Sequence, residues 1–245
     1  MLKQFHDMRS TIICLLMLAI TVNADEADYA MARATMVDEV HFYATLARDS
    51  GEEVLDEDVM RSLSTVKRHE FVPAGQKRFA YENRPLGIGH GQTISQPYIV
   101  ALMTDLIETG PDAVVLEIGT GSGYQAAILA GLVKHVYSIE IIEALADEAS
   151  ARLQRLGYDN VTTKLGDGYF GWEEHAPYDA IVVTAAASHV PTSLVQQLRP
   201  GGRMIIPVGG RFMTQQLLLI EKTGDDEVIT RQIAAVRFVP LTGEH

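Results

Sequence analysis

The chain has 245 residues, 47% of them hydrophobic, enough to bury the core of roughly one α/β domain with an added segment. A formal net charge of −12 and a pI near 5.0 exclude a general electrostatic grip on nucleic acid or on an anionic membrane surface. Cys14 is the single cysteine, which excludes a disulfide framework and a thiolate metal cluster, and the eight histidines are scattered without the close pairing that a zinc site favours. A small or peptidic ligand is the natural partner.

A polar start carrying Lys3 and Arg9 leads into the apolar run Ile12 to Ile20, and Val22-Asn-Ala24 offers the small residues that a signal peptidase reads. Residues 1–24 are therefore expected to be a secretory signal peptide, too short for a comfortable membrane span. The mature protein is expected to be periplasmic or secreted and free of cysteine. An uncleaved anchor, or a cytoplasmic chain, is the alternative. From Ala27 to Arg48 apolar residues recur at helical spacing, and Met31, Met36, Val37, Val40, Phe42 and Leu46 are expected to face inward. A second helix is expected from Asp56 to Thr65 with Val59, Met60 and Leu63 inward; its acidic first turn suits the helix dipole. Lys67 to Arg84 reads as loop. Leu86 to Pro97 carries glycines at alternate positions without a clear period and reads as a shaped loop. Pro97 opens a helix that runs to about Glu108. Ser95 stands at or near its cap, a purely structural role that composition cannot separate from a role in a site.

Beyond Pro111 strands and helices alternate. Strand 113–118 precedes a helix from about Gly123 to Leu132, and strand 135–140 precedes one from about Glu143 to Leu156. Strand 161–165, the turn Gly166-Asp-Gly168, strand 179–184, a helix near Pro191 and strand 203–208 follow. Gln215 to Glu221 and Gln232 to Val239 are expected to form a hairpin around Thr223-Gly-Asp-Asp226. The expected fold is a doubly wound, mostly parallel seven-stranded α/β sheet closed by antiparallel C-terminal strands and covered by an N-terminal helical cap. Ligands should bind outside the C-terminal strand ends. The division is a cap with its loop over 25–110 and a ligand-binding domain over 111–245, together one compact unit.

The glycine-rich turn decides the ligand class. In Glu117-Ile-Gly-Thr-Gly-Ser-Gly-Tyr124 a dinucleotide fingerprint fails, because Tyr124 stands where the third glycine belongs. Glu117 can hold an ammonium, Glu140 at the end of the next strand can accept from two ribose hydroxyls, and Asp167 can reach an adenine amino group. Three carboxylates at adjacent strand ends would repel a diphosphate; an amine, a ribose and an adenine answer them, as in S-adenosylmethionine. The alternative is that these acids are solvated turn residues.

Over nearly all of residues 30–245 the chain resembles the protein-L-isoaspartate O-methyltransferases, a class I family with a Rossmann-like methyltransferase fold. The resemblance is carried by Arg68-His-Glu-Phe-Val-Pro73, Ile88-Gly-His-Gly-Gln-Thr-Ile-Ser-Gln-Pro97, Leu116 to Tyr124, Gly166-Asp-Gly168, Tyr178 to Thr184, Pro207-Val-Gly209 and Arg237-Phe-Val-Pro-Leu241. The loop ending in Ser95 is the most discriminating of these. The resemblance implies methyl transfer from S-adenosylmethionine to the free α-carboxylate of L-isoaspartyl residues in damaged proteins and peptides. It implies Ser95 as the catalytic-site serine. For the cofactor it implies Gln92, Thr93, Ile94, Ser95, Glu117, Gly119, Gly121, Glu140, Asp167 and Gly168, with Thr242 near the site in the C-terminal strand, and no metal. A carboxylate is ionised at neutral pH, so Ser95 is expected to position rather than attack, and His90 is read as a loop residue. A monomer without nucleic-acid partner and without stable membrane insertion is expected. Two departures stand out: Gly87 replaces a proline common in the family, which loosens the loop entrance, and the export signal is unusual. Another carboxylate acceptor in the cell envelope and a non-catalytic peptide-binding role are the competing readings.

Overall fold

The computed structural model describes residues 26–46, 55–210, 213–224 and 227–243. The expected signal segment 1–24, residues 47–48 of the first expected helix and Asp225-Asp226 of the expected hairpin turn lie outside the described residues. No helix among the described residues is long and apolar enough to cross a membrane.

Nine strands and six α-helices follow one another among the described residues. Helix α1 covers residues 26–46 and α2 Glu57–Thr65, whose first turn is capped by Asp56 accepting from the Asp58 amide at 2.7 Å. Only one face of α1 is inward: Met36, Val40 and Ala44, spaced by four, are buried, whereas Met31, Phe42 and Leu46 are exposed. The helix carries apolar residues on both faces, so spacing alone misplaces three of them. The stretch 67–84 holds two short 3₁₀ turns, Arg68–Phe71 and Ala74–Phe79.

The expected shaped loop is a small antiparallel hairpin, β1 (Leu86–Gly89) and β2 (Gln92–Ile94). Its turn places Gly89, His90 and Gly91 all at positive φ, 95°, 53° and 73°. His90 is exposed at the tip, in keeping with a loop residue. Helix α3 (Pro97–Leu106) follows with Pro97 in its first turn, but Gln96 rather than Ser95 is its cap residue, and no side chain caps it. The capping role is thus withdrawn from Ser95.

The main sheet is built from β3 (Val114–Ile118), β4 (His135–Glu140), β5 (Val161–Leu165), β6 (Tyr178–Val183), β7 (Leu198–Val208), β8 (Gln215–Lys222) and β9 (Val228–Val236), in the order β5-β4-β3-β6-β7-β8-β9. The first five are parallel and the last two junctions antiparallel, as the sequence predicts. Helices α4 (Tyr124–Ala130), α5 (Glu143–Arg155) and α6 (Thr192–Gln197) follow β3, β4 and β6. Strand β9 begins at Val228 and ends at Val236; Thr242 therefore lies not in a strand but in the coil beyond it, contrary to expectation. One continuous buried cluster runs from Met36, Val40 and Leu63 through Ile128 to Val136 and Leu219, so the N-terminal helices share the core of the sheet. Because β3 connects to β4 on one side and lies beside β6 on the other, the crevice over its carboxyl end is a topological switch point.

Candidate active site

At that switch point the chain leaves β3 through three glycines at positive φ: Gly119 at 94°, Gly121 at 53° and Gly123 at 85°. Gly119 is required twice over. Its φ is one that side chains avoid, and an added Cβ would lie 2.5 Å from Thr184 Oγ1. Gly168, at the end of the next turn, is required by space: a Cβ there would meet Ile118 Cγ2 at 2.4 Å.

The turn is pinned by two acids in different ways. Glu140, 6% exposed, accepts from the Gly121 amide through Oε2 at 2.7 Å and from the Ile142 amide through Oε1 at 3.0 Å. Each oxygen keeps acceptor capacity toward the cleft that Glu140 lines. Glu117 is completely buried. The parallel register sets it opposite Ser138, whose hydroxyl donates to Glu117 Oε2 and also meets Thr120 Oγ1 at 2.6 Å. Its other oxygen, Oε1, is buried without a hydrogen-bond partner. Burial pushes its carboxyl up to about 8, against the Ser138 hydrogen bond, with the nearby charge of Glu140 adding to the rise.

Three adjoining chambers surround this turn. The first, about 530 Å³ counted to its open mouth, has Ile118, Ile139 and Ile141 as apolar walls and Glu140, Gly168 and Thr242 on its rim; Gln92 and Thr93 close it from the hairpin. The second lies beneath, between Glu117, Gly119, Gly121, Ile94 and Ser95. The third is bounded by Ser95, Gln96, Ile99 and the segment 235–239. Thr93 and Thr184 border all three, and Ser95 borders the second and third. The structure therefore brings together Gln92, Thr93, Ile94, Ser95, Glu117, Gly119, Gly121, Glu140, Gly168 and Thr242. Asp167 immediately precedes Gly168 of the rim; its side chain accepts from the Tyr169 amide at 2.9 Å, capping the 3₁₀ turn Gly168–Phe170.

Two residues of the site escape sequence reasoning as site residues. Thr184, the first polar residue after β6, donates from Oγ1 to the carbonyls of Ile118 at 3.0 Å and Gly119 at 2.6 Å, and so joins two strand ends across the cleft. Its position just past a buried strand was the available signal. Arg68 is fully buried, without an acidic partner among the described residues. Its guanidinium donates to the carbonyls of Ala80 at 2.5 Å, Ser95 at 2.7 Å and Arg84 at 3.4 Å, and lies 5.4 Å from the centre of the Tyr124 ring. Burial brings it down to about 10, so it remains charged at neutral pH. A buried charge of this kind costs several kcal/mol unless its donors are used; here the two terminal nitrogens are used, one of them fastening the backbone of Ser95, while Nε is buried without a hydrogen-bond partner.

The protein-L-isoaspartate(D-aspartate) O-methyltransferase family model matches residues 45–245. Protein-L-isoaspartate O-methyltransferase 2 of Syntrophobacter fumaroxidans is 61% identical over 225 residues, covering 91% of this chain and 91% of the relative. Protein-L-isoaspartate O-methyltransferase 1 of Cupriavidus necator is 61% identical over 237 residues, 96% of this chain and 92% of the relative. Among solved structures, a protein-L-isoaspartate O-methyltransferase superposes with a TM-score of 0.77 at 28% identity over 86% of this chain and 66% of that one. A Plasmodium falciparum protein assigned to the same activity, in complex with S-adenosyl-L-homocysteine, gives 0.68 at 26% identity over 85% and 97%. The chain belongs to the protein-L-isoaspartate(D-aspartate) O-methyltransferase family.

Proposed function

We propose that the protein is a repair methyltransferase that moves a methyl group from S-adenosylmethionine to the free α-carboxylate of L-isoaspartyl residues in damaged proteins and peptides. The observation that carries this reading is the meeting of the three chambers at Thr93 and Thr184, with Ser95 at the junction of the inner two.

The residues present fit the cofactor. Glu117 Oε1, buried and lacking a donor, suits an ammonium; Glu140 suits ribose hydroxyls; Ile118, Ile139 and Ile141 offer apolar faces to a flat ring. When bound, S-adenosylmethionine supplies an electrophilic methyl group on a sulfonium. The acceptor carboxylate is already ionised at neutral pH and needs no base. The chamber on the acceptor side provides hydroxyls from Thr93 and Ser95 and an amide from Gln96, and no described residue lining it is acidic. Those groups can hold one carboxylate oxygen while the other stays free to react, so catalysis is mostly positioning. Arg68 serves that end by fixing the Ser95 backbone. A general acyl-transfer site would need a base hydrogen-bonded to Ser95; the one carboxyl in the chambers that Ser95 borders, Glu117, is instead bonded to Ser138.

The family and the intact cleft speak against a non-catalytic role, and the relatives' names against a different acceptor. Export rests on the pattern of residues 1–24: the mature protein is assigned to the periplasm or the medium, as a monomer, with isoaspartyl chains rather than nucleic acid as partners. N-terminal sequencing of protein from its native host tests it, a start at Asp25 supporting export and a start at Met1 or Met31 opposing it. Catalysis is tested with labelled cofactor and two peptides that differ only in an isoaspartyl or an aspartyl linkage. Equal transfer to both, or to neither, removes the proposal.

A further inference from the structure

The acceptor chamber poses an electrostatic problem. The chain carries a net charge of −12, a field that repels anionic peptides. Yet among the described residues lining this chamber one alone is charged, and it is a cation, Arg237.

Arg237 is exposed and makes no ion pair among the described residues, whereas Arg152, Arg155, Arg199 and Arg203 each face a carboxylate. Its backbone is firmly held. Buried Gln215 accepts from the Phe238 amide at 2.9 Å, and Ala186 donates to Val239 O and accepts from the Leu241 amide, both at 2.8 Å. A guanidinium is thus anchored on a rigid base at the wall of the chamber, with no acidic partner among the described residues.

The reacting carboxylate is not its natural partner. That group loses its charge as the ester forms, so an ion pair to it would stabilise the ground state more than the transition state and slow the reaction. A different anion in the same peptide carries no such penalty. Resting on the proposed activity, we infer that Arg237 is a specificity residue that selects isoaspartyl acceptors bearing an acidic side chain beside the damaged residue. It acts on binding and encounter, not on the chemical step.

The test uses the full enzyme and three isoaspartyl peptides identical except for Glu, Gln or Lys at the flanking positions. Wild type should rank them Glu, Gln, Lys by kcat/KM, with about fivefold between neighbours, the upper range for an exposed pair. The difference should lie in KM and should fade in 0.5 M salt. Arg237→Gln should bring the Glu to Gln ratio near one, Arg237→Glu should invert it, and Arg237→Lys should keep it. Ratios within one variant are unaffected by a folding defect, which lowers all three peptides together. A wild-type enzyme indifferent to the flanks, or a ranking unchanged in Arg237→Gln, overturns the inference and leaves the methyltransferase reading standing. No transfer by wild type to any of the three overturns both.

Discussion

Glu117 links cofactor binding to pH. Its carboxyl is buried, raised to about 8, and has one oxygen without a donor, so the ligand-free protein holds a proton there at neutral pH. An ammonium beside that oxygen favours the ionised form, and binding must then release the proton. With a free-state value of about 8, affinity for S-adenosylmethionine should rise about thirtyfold between pH 5.5 and pH 7, where the cofactor's own amine stays charged. Calorimetry in buffers of different ionisation enthalpy should find about one proton released near pH 6.5. Glu117→Gln should bind more weakly at pH 7 and with no slope. The stability of the ligand-free protein carries the opposite mark. A carboxyl raised in the folded state contributes stability that is full below its unfolded value of 4.5 and is lost as pH rises through about 8. Ligand-free Glu117→Gln should therefore gain on wild type by up to about 4 kcal/mol at pH 8. A dissociation constant flat from pH 5.5 to 7, without proton release, refutes the reasoning.

Gly119→Ala should abolish measurable cofactor binding by calorimetry while the chain still folds, since its Cβ would strike Thr184 Oγ1 at 2.5 Å and the φ of 94° resists any side chain. Ser95→Ala should lower kcat/KM for an isoaspartyl peptide by about tenfold to a hundredfold, the loss of one positioning hydrogen bond; an unchanged value would move the acceptor away from Ser95. His69, 3% exposed, is stacked 3.9 Å from Tyr29 of α1 and shares a 2.8 Å hydrogen bond with Tyr81. Burial lowers it below 6.5 despite Glu70 and Glu26. Its contribution to stability is full above pH 6.5 and is lost as pH falls through the folded value, so proteolysis of α1 should increase toward pH 5 and lose that pH dependence in His69→Gln.

The parallel core was legible because its strands are short β-branched or apolar stretches closed by glycine or acid: Val114–Ile118, His135–Glu140 and the more polar Val161–Leu165 fall where the pattern predicts. The hairpin 86–94 was not, since alternate glycines erase the side-chain alternation that marks a strand. The inward face of α1 was half legible, because Met31, Phe42 and Leu46 compete in sequence with Met36 and Val40 and only packing decides between them. In the site, the glycine turn and its acids were legible by type and spacing, but not the complete burial of Glu117 or the cap that Asp167 gives to the turn after it. Thr184 and Arg68 were hidden because their roles depend on bonds to backbone carbonyls from distant segments, which leave no local pattern.

The most direct measurement follows one isoaspartyl peptide through repeated cycles with enzyme and S-adenosylmethionine, resolving isoaspartyl, methyl ester, succinimide and aspartyl forms by chromatography. The account predicts that the ester appears first, decays through the succinimide and leaves a growing fraction of normal aspartyl peptide, while the aspartyl peptide itself is never methylated. An isoaspartyl peptide that stays unchanged, or an aspartyl peptide methylated as fast, would contradict it.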